Sequence, residues 1–85
     1  MFDKIKQLKK ARDIQSALKE EEVTVEKEGT LISMDATLKI KKIKINPELE
    51  KEKQEAVLID CINEAMLKVQ TIAVKEMSKL GGFGL

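Results

Sequence analysis

The chain reads as an α+β domain in the order helix, three antiparallel strands, helix, and the succession of its hydrophobic periodicities is the reason. A helix-period opening from about Asp3 to Lys19 gives way to strand-like alternation from Val23 to Ile45. One long helix-period run follows, from about Glu48 to Leu80. Unbroken, that run is about 50 Å long at 1.5 Å per residue, whereas a compact chain of this length has a radius of gyration of roughly 12 Å. The last helix is therefore expected to overhang its own domain. Apolar residues along an overhang need a partner to cover them, which points to a homodimer.

In the first helix, Ile5, Leu8, Ala11, Ile14 and Leu18 form a broad, drifting apolar stripe at 100° per residue. Lys6, Lys9 and Lys10 fall on the opposite side, with Arg12 at the stripe's edge, so one face is core and the other basic. The helix runs into Glu20, Glu21 and Glu22, which are poorly placed at the negative end of a helix dipole, and it is expected to fray or end there.

Val23 and Val25 alternate with Thr24 and Glu26 as in a half-buried strand, and Glu28-Gly29 supplies a turn able to hold a positive φ. Ile32, Met34 and Ala36 alternate with Ser33 and Asp35 in the second strand, with the next turn near Thr37-Leu38. In the third, Ile43 and Ile45 alternate while Ile40 is out of step by one residue, a mismatch that a β-bulge reconciles. The lysines of the run from Lys39 to Lys44 read either as a solvated sheet face whose charge protects an edge or as a ligand-binding strip.

Asn46-Pro47-Glu48 has the form of a helix start, with a capping asparagine, a proline at the first helical position and acid at the positive dipole end. Along the last helix, Leu58, Ile62, Ala65, Met66, Val69, Ile72, Ala73 and Leu80 make a broad main face suited to packing on the sheet. Leu67 and Val74 lie on the other side at seven-residue spacing, which suits contact with a second subunit. Lys68, Lys75 and Lys79 line up within about 40° over about 16 Å, a row that either follows a phosphate backbone or is simply solvated. Residues 1–80 are expected to form a single domain, with 81–85 a flexible Gly-rich tail after the helix stop at Gly81-Gly82.

Composition excludes more than it suggests. Histidine, tyrosine and tryptophan are all missing, which removes the commonest general base, the commonest transition-metal ligand and the best base-stacking platforms. No Gly-rich phosphate loop occurs, so no enzyme activity, catalytic residue, cofactor, metal or small-molecule substrate is expected. Enzyme chemistry has only two entry points: the single cysteine, Cys61, which reads as a buried thiol, and the pair Asp60 and Glu64, which reads as a solvated face. Charged residues make up 36% of the chain, but 16 basic residues nearly cancel 15 acidic ones, so any polyanion binding must come from charge segregation. The charged opening Met1-Phe2-Asp3-Lys4 lacks a signal's apolar core and no block of residues spans a bilayer, so the expected location is cytoplasmic, without a membrane partner.

Several segments together resemble the YbaB/EbfC family of bacterial nucleoid-associated proteins. They are the helix, three-strand, helix order, Ile43-Lys44-Ile45-Asn46-Pro47-Glu48-Leu49, the step Asn63-Glu64-Ala65, and the ending Lys75-Glu76-Met77-Ser78-Lys79-Leu80-Gly81-Gly82. The strand-to-helix junction is the most specific of these. The resemblance implies a tweezer-like homodimer whose helical arms project toward double-stranded DNA, in a protein that affects nucleoid organisation and gene expression. Carried over position by position, it makes Lys4, Lys6, Lys9, Lys10 and Arg12 of the first helix, with Lys68, Lys75 and Lys79 of the last, the expected DNA contacts. This chain departs from the family in having only Gly29 where a Gly-rich turn is usual, and in a second hairpin about two residues short.

Two functions follow from these readings. The first is a dimer gripping the DNA backbone with weak sequence specificity, since lysine is a point charge and only Arg12 can make a bidentate guanine contact. The alternative is a dimeric protein-interaction or chaperone-like adaptor that does not bind DNA.

Overall fold

The computed structural model describes residues 2–79, with side chains at residue 9 and from 11 onward. Its element order is α1 (Phe2–Glu20), β1 (Glu22–Lys27), β2 (Thr30–Asp35), β3 (Ile40–Lys44) and α2 (Lys51–Lys79). The strands form an antiparallel meander with β2 in the middle, which is the expected α-β-β-β-α arrangement.

The first three connections have local causes. α1 ends at Glu20, the first residue of the acidic run, and Glu21 N still donates to Ala17 O at 3.3 Å in a last, loosening turn. In the first hairpin the flanking pair Lys27 and Thr30 leaves a two-residue loop, and both of its residues have positive φ, Glu28 at 49° and Gly29 at 80°. That is the mirror-image turn whose twist suits a tight hairpin. The second turn falls at Thr37-Leu38 as expected, with Leu38 held at φ 69° although it is not glycine.

Asp35 is what holds it there. Its Oδ1 accepts from the hydroxyl of Thr37, from Thr37 N at 2.8 Å and from Lys39 N at 3.3 Å, while Lys41 Nζ stands 3.5 Å from Oδ2. The carboxylate is nearly fully buried. The bulge expected around Ile40 is present: Ser33 pairs with Lys42 but Met34 with Ile40, so Lys41 is the extra residue.

The start of the last helix differs from expectation. Residues 47–49 form turns and α2 begins at Lys51. Asn46 does not cap the helix, because its side chain is engaged elsewhere: Oδ1 accepts from Glu48 N at 3.0 Å and Nδ2 donates to Glu28 O at 2.9 Å. Gln54 Nε2 then closes the loop by donating to the carbonyls of Asn46 and Leu49, both at 3.0 Å, and Gln54 N makes an i to i−4 bond with Glu50 O at 2.8 Å.

α2 lies across β1 and β2 on the face that carries Val23, Val25, Ile32 and Met34. From the helix come Val57, Cys61, Ala65 and Val69, the buried i, i+4 series. Within the expected main face, Ala65 and Val69 are buried and Leu58, Ile62 and Ile72 are partly buried against the core, but Met66 is 38% exposed and Val57 and Cys61 take the central places. Leu80 and the Gly-rich tail lie outside the described residues. On α1, Ile14, Ala17 and Leu18 are half-buried whereas Ala11 is exposed, and the side chains of Ile5 and Leu8 lie outside the described set. Among the described side chains, α1 therefore joins the core through its C-terminal end, where Ala36 N donates to Leu18 O at 3.0 Å.

The fully buried series of α2 stops at Val69 and Ile72 is the last described hydrophobic residue packed against the core, so the final seven residues, about 10 Å of helix, run beyond it. The molecule measures 58 × 22 × 15 Å with a radius of gyration of 16.7 Å, well above the roughly 12 Å of a compact chain this long. The overhang expected from the length of the periodic run is thus present.

Candidate nucleic-acid interface

The expected DNA-contact residues fall on the N-terminal part of α1 and on the C-terminal half of α2, where Lys68 lies beside buried Ala65 and Val69 and Lys75 and Lys79 follow the last buried residue. On α1, Lys9 and Arg12 are exposed, Lys9 about 180° around the helix from the docked Leu18. Lys4, Lys6 and Lys10 belong to the same helix, with side chains outside the described set. On α2, Lys68, Lys75 and Lys79 are all exposed, within about 40° of the direction in which Cys61 points. That is the sheet-facing side of the helix, and Lys75 and Lys79 are open because the buried series has already ended. Lys79 is partly engaged, with Nζ 3.4 Å from Glu76 Oε1 one turn back.

Charge is segregated along the fold although it nearly cancels overall. Residues 1–12 hold five basic side chains against one acidic, and residues 65–79 three against one. Residues 20–28, which include β1, hold five acidic against one basic, and residues 45–64, which lead into and form the first part of α2, six against two. The N-terminal part of α1 and the C-terminal half of α2 are positive, and the segments around β1 and the first part of α2 are negative. A phosphate backbone would be attracted to the former and repelled by the latter.

Sequence periodicity missed one surface. Ile43 pairs with Ile32 and Ile40 with Met34, so both share the α2 face of the sheet, yet they are 48% and 44% exposed because α2 covers β1 and β2 but not β3. Ile45 continues this face, and with Leu58, Gln54, Glu55 and Lys51 it lines a shallow groove of about 190 Å³ between the end of β3 and the start of α2. Ile59 and Met66 are also exposed on α2, on the side turned away from the sheet. Leu67 and Val74, the expected subunit contacts, are 63% and 65% exposed farther round the same helix. The alternation of Ile43 with Ile45 was visible in the sequence, but it marked a face and not what covers it.

The possible entry points for enzyme chemistry are not arranged as a site. Cys61 is fully buried, its Sγ 3.8 Å from Thr30 O, and burial pushes the thiol's pKa up. Glu64 sits 3.6 Å from Lys27 while Asp60 is exposed. Asp35 titrates low, at about 2, first because the Thr37 hydroxyl binds the charged form, against the opposing effect of burial, with help from the Thr37 and Lys39 amides and Lys41. It is already committed to its own turn. Among the described residues no three His, Cys, Asp or Glu side chains cluster in a way that could hold a metal ion, and no helix is long and apolar enough to cross a membrane.

No curated protein and no solved structure matches the chain. A family model does, that of the YbaB/EbfC DNA-binding family, over residues 1–84; with a helix-flanked meander and basic helix ends beside that match, the chain belongs to this family.

Proposed function

We propose that this is a homodimeric, nucleoid-associated DNA-binding protein of the bacterial cytoplasm that grips the phosphate backbone through Lys4, Lys6, Lys9, Lys10 and Arg12 of α1 and Lys68, Lys75 and Lys79 of α2. The observation that carries the reading is the segregation of positive charge onto the N-terminal part of α1 and the C-terminal half of α2, in a member of a DNA-binding family. Contacts made by lysine are contacts to phosphate, which position a protein without reading bases, so sequence specificity is weak. Neutralising phosphates releases counterions, so affinity falls steeply with salt.

The dimer is supported by surface that a monomer leaves bare. Nine large hydrophobic residues are exposed among those described, including Ile40, Ile43 and Ile45 on the sheet and Leu67 and Val74 on α2. Two copies that cover these strips bring four basic helices into one particle. The same strips favour the second reading, an interaction module or adaptor that uses them to hold another protein and does not bind DNA.

The two readings separate on Lys6→Glu/Lys9→Glu/Lys10→Glu. Under the first, DNA retention is lost while dimer mass and helix content stay unchanged. Retention that survives this substitution, or binding that ignores salt, rules out the lysine grip.

A further inference from the structure

We propose that β3 is an additional phosphate-contacting edge, in which Lys42 and Lys44 engage the DNA backbone alongside the helices. The inference rests on the DNA-binding reading and extends it to an element that neither the helix wheels nor the family resemblance pointed to.

Residues 39–44 are the densest basic stretch of the chain, with four lysines and no acid. Every residue of β3 is exposed, and β3 is an edge strand of the sheet. Lys27, Lys53 and Lys79 each stand within 3.6 Å of a carboxylate, and Lys41 is held at Asp35. Lys39, Lys42 and Lys44 have no such partner among the described residues. Unpaired lysines keep their full charge available to a phosphate.

The placement is directional. Ile43 faces the α2 side, so Lys42 and Lys44 share the opposite face at a strand repeat of about 6.8 Å, close to two base steps of rise along one DNA strand. Next to Lys42 across the sheet are Ser33 and Thr24, whose hydroxyls are hydrogen-bonded to each other at 2.9 Å. Two strands away, Glu22 and Glu26 form an acidic edge. DNA is therefore attracted to the β3 margin and repelled from the β1 margin, which orients the duplex along the edge of the sheet and not across its face. Edge protection against strand pairing also uses lysine. That role requires no particular ligand and predicts no change in the salt dependence of DNA binding.

The test is a salt titration of the full chain on two unrelated duplexes, comparing Lys42→Ala/Lys44→Ala with Lys68→Ala/Lys75→Ala, with dimer mass and circular dichroism recorded in the same buffers. If β3 makes two phosphate contacts, its double variant lowers the slope of log K against log salt by about 1.8, on both duplexes, with mass and helix content unchanged. A Glu22→Lys/Glu26→Lys variant is expected to bind more tightly than the parent. If the β3 variant keeps the parental slope while the α2 variant loses it, this inference falls and the helix grip stands. If the β3 variant loses slope and the α2 variant does not, the inference stands and the α2 contacts fall. A parent that binds neither duplex at low salt overturns both. Retention on polyglutamate that depends on Lys42 and Lys44, with the DNA slope unchanged, overturns the inference in favour of an acidic protein partner.

Discussion

A β-carbon on Gly29 would lie 2.9 Å from Asn46 Nδ2, the atom that donates to Glu28 O, also at 2.9 Å. The first hairpin turn and the β3-to-α2 junction therefore meet at one side chain. Asn46 also accepts from Glu48 N, so a single amide sets the turn, the end of the sheet and the approach to the last helix. Gly29→Ala meets both a contact closer than side chains tolerate and a φ of 80°, and should destabilise the fold by about 1–2 kcal/mol in urea unfolding. Unchanged stability would show that Asn46 can withdraw freely.

The low pKa of Asp35 makes the second turn acid-sensitive. A carboxylate whose folded pKa is depressed, here from 3.8 to about 2, contributes stability that is fully present above the unfolded value and is lost as pH falls through the folded one. The urea midpoint of the parent should therefore drop between about pH 4 and pH 2. Asp35→Asn should be less stable near neutrality and show a flatter dependence over that interval. Matching pH profiles would remove Asp35 as the cause.

Thr30 carries a buried hydroxyl without a hydrogen-bond partner among the described residues, at 1% exposure beside Cys61. Replacing it with the near-isosteric valine removes an unsatisfied group of a kind that typically costs about 1–3 kcal/mol. Thr30→Val is expected to unfold at higher urea concentration than the parent. In the same core, the Cys61 thiol should react with an aromatic disulfide reagent only as fast as the protein opens, since burial both shields it and disfavours the thiolate. Immediate labelling in native buffer would contradict this placement.

Assembly can be probed at two places. Leu67→Asp and Ile43→Asp each put a charge on an exposed apolar strip, where covering a leucine or isoleucine contributes about 1.5–3 kcal/mol. Light scattering should show a loss of dimer mass while circular dichroism stays close to the parent's. A dimer that tolerates Leu67→Asp but not Ile43→Asp would place the interface on β3 and the adjoining part of α2, away from the contact expected from the seven-residue spacing of Leu67 and Val74.

Most of the element order was legible because periodicity is local. Val23 and Val25, the Glu28-Gly29 turn, the phase slip at Ile40 and the long helical run each appear within a few residues of sequence, and each has its counterpart in the structure. The start of α2 was not legible. Asn46 and Pro47 have the chemistry of a cap, but the Asn46 amide is drawn to Glu28, eighteen positions away, and the helix begins only at Lys51.

The exposure of Lys9, Lys68, Lys75 and Lys79 agrees with the spacing of these lysines, and the length of the periodic run foretold that the last helix would outrun its sheet. What the spacing could not decide is which apolar residues find cover. Ile43 and Ile32 are equivalent in sequence pattern and sit opposite each other, yet one is 48% exposed and the other fully buried, because α2 passes over β2 and not over β3. A periodic sequence determines the face on which a side chain stands. Only the packing of one element against another, which depends on contacts distant along the chain, determines whether anything lies above it.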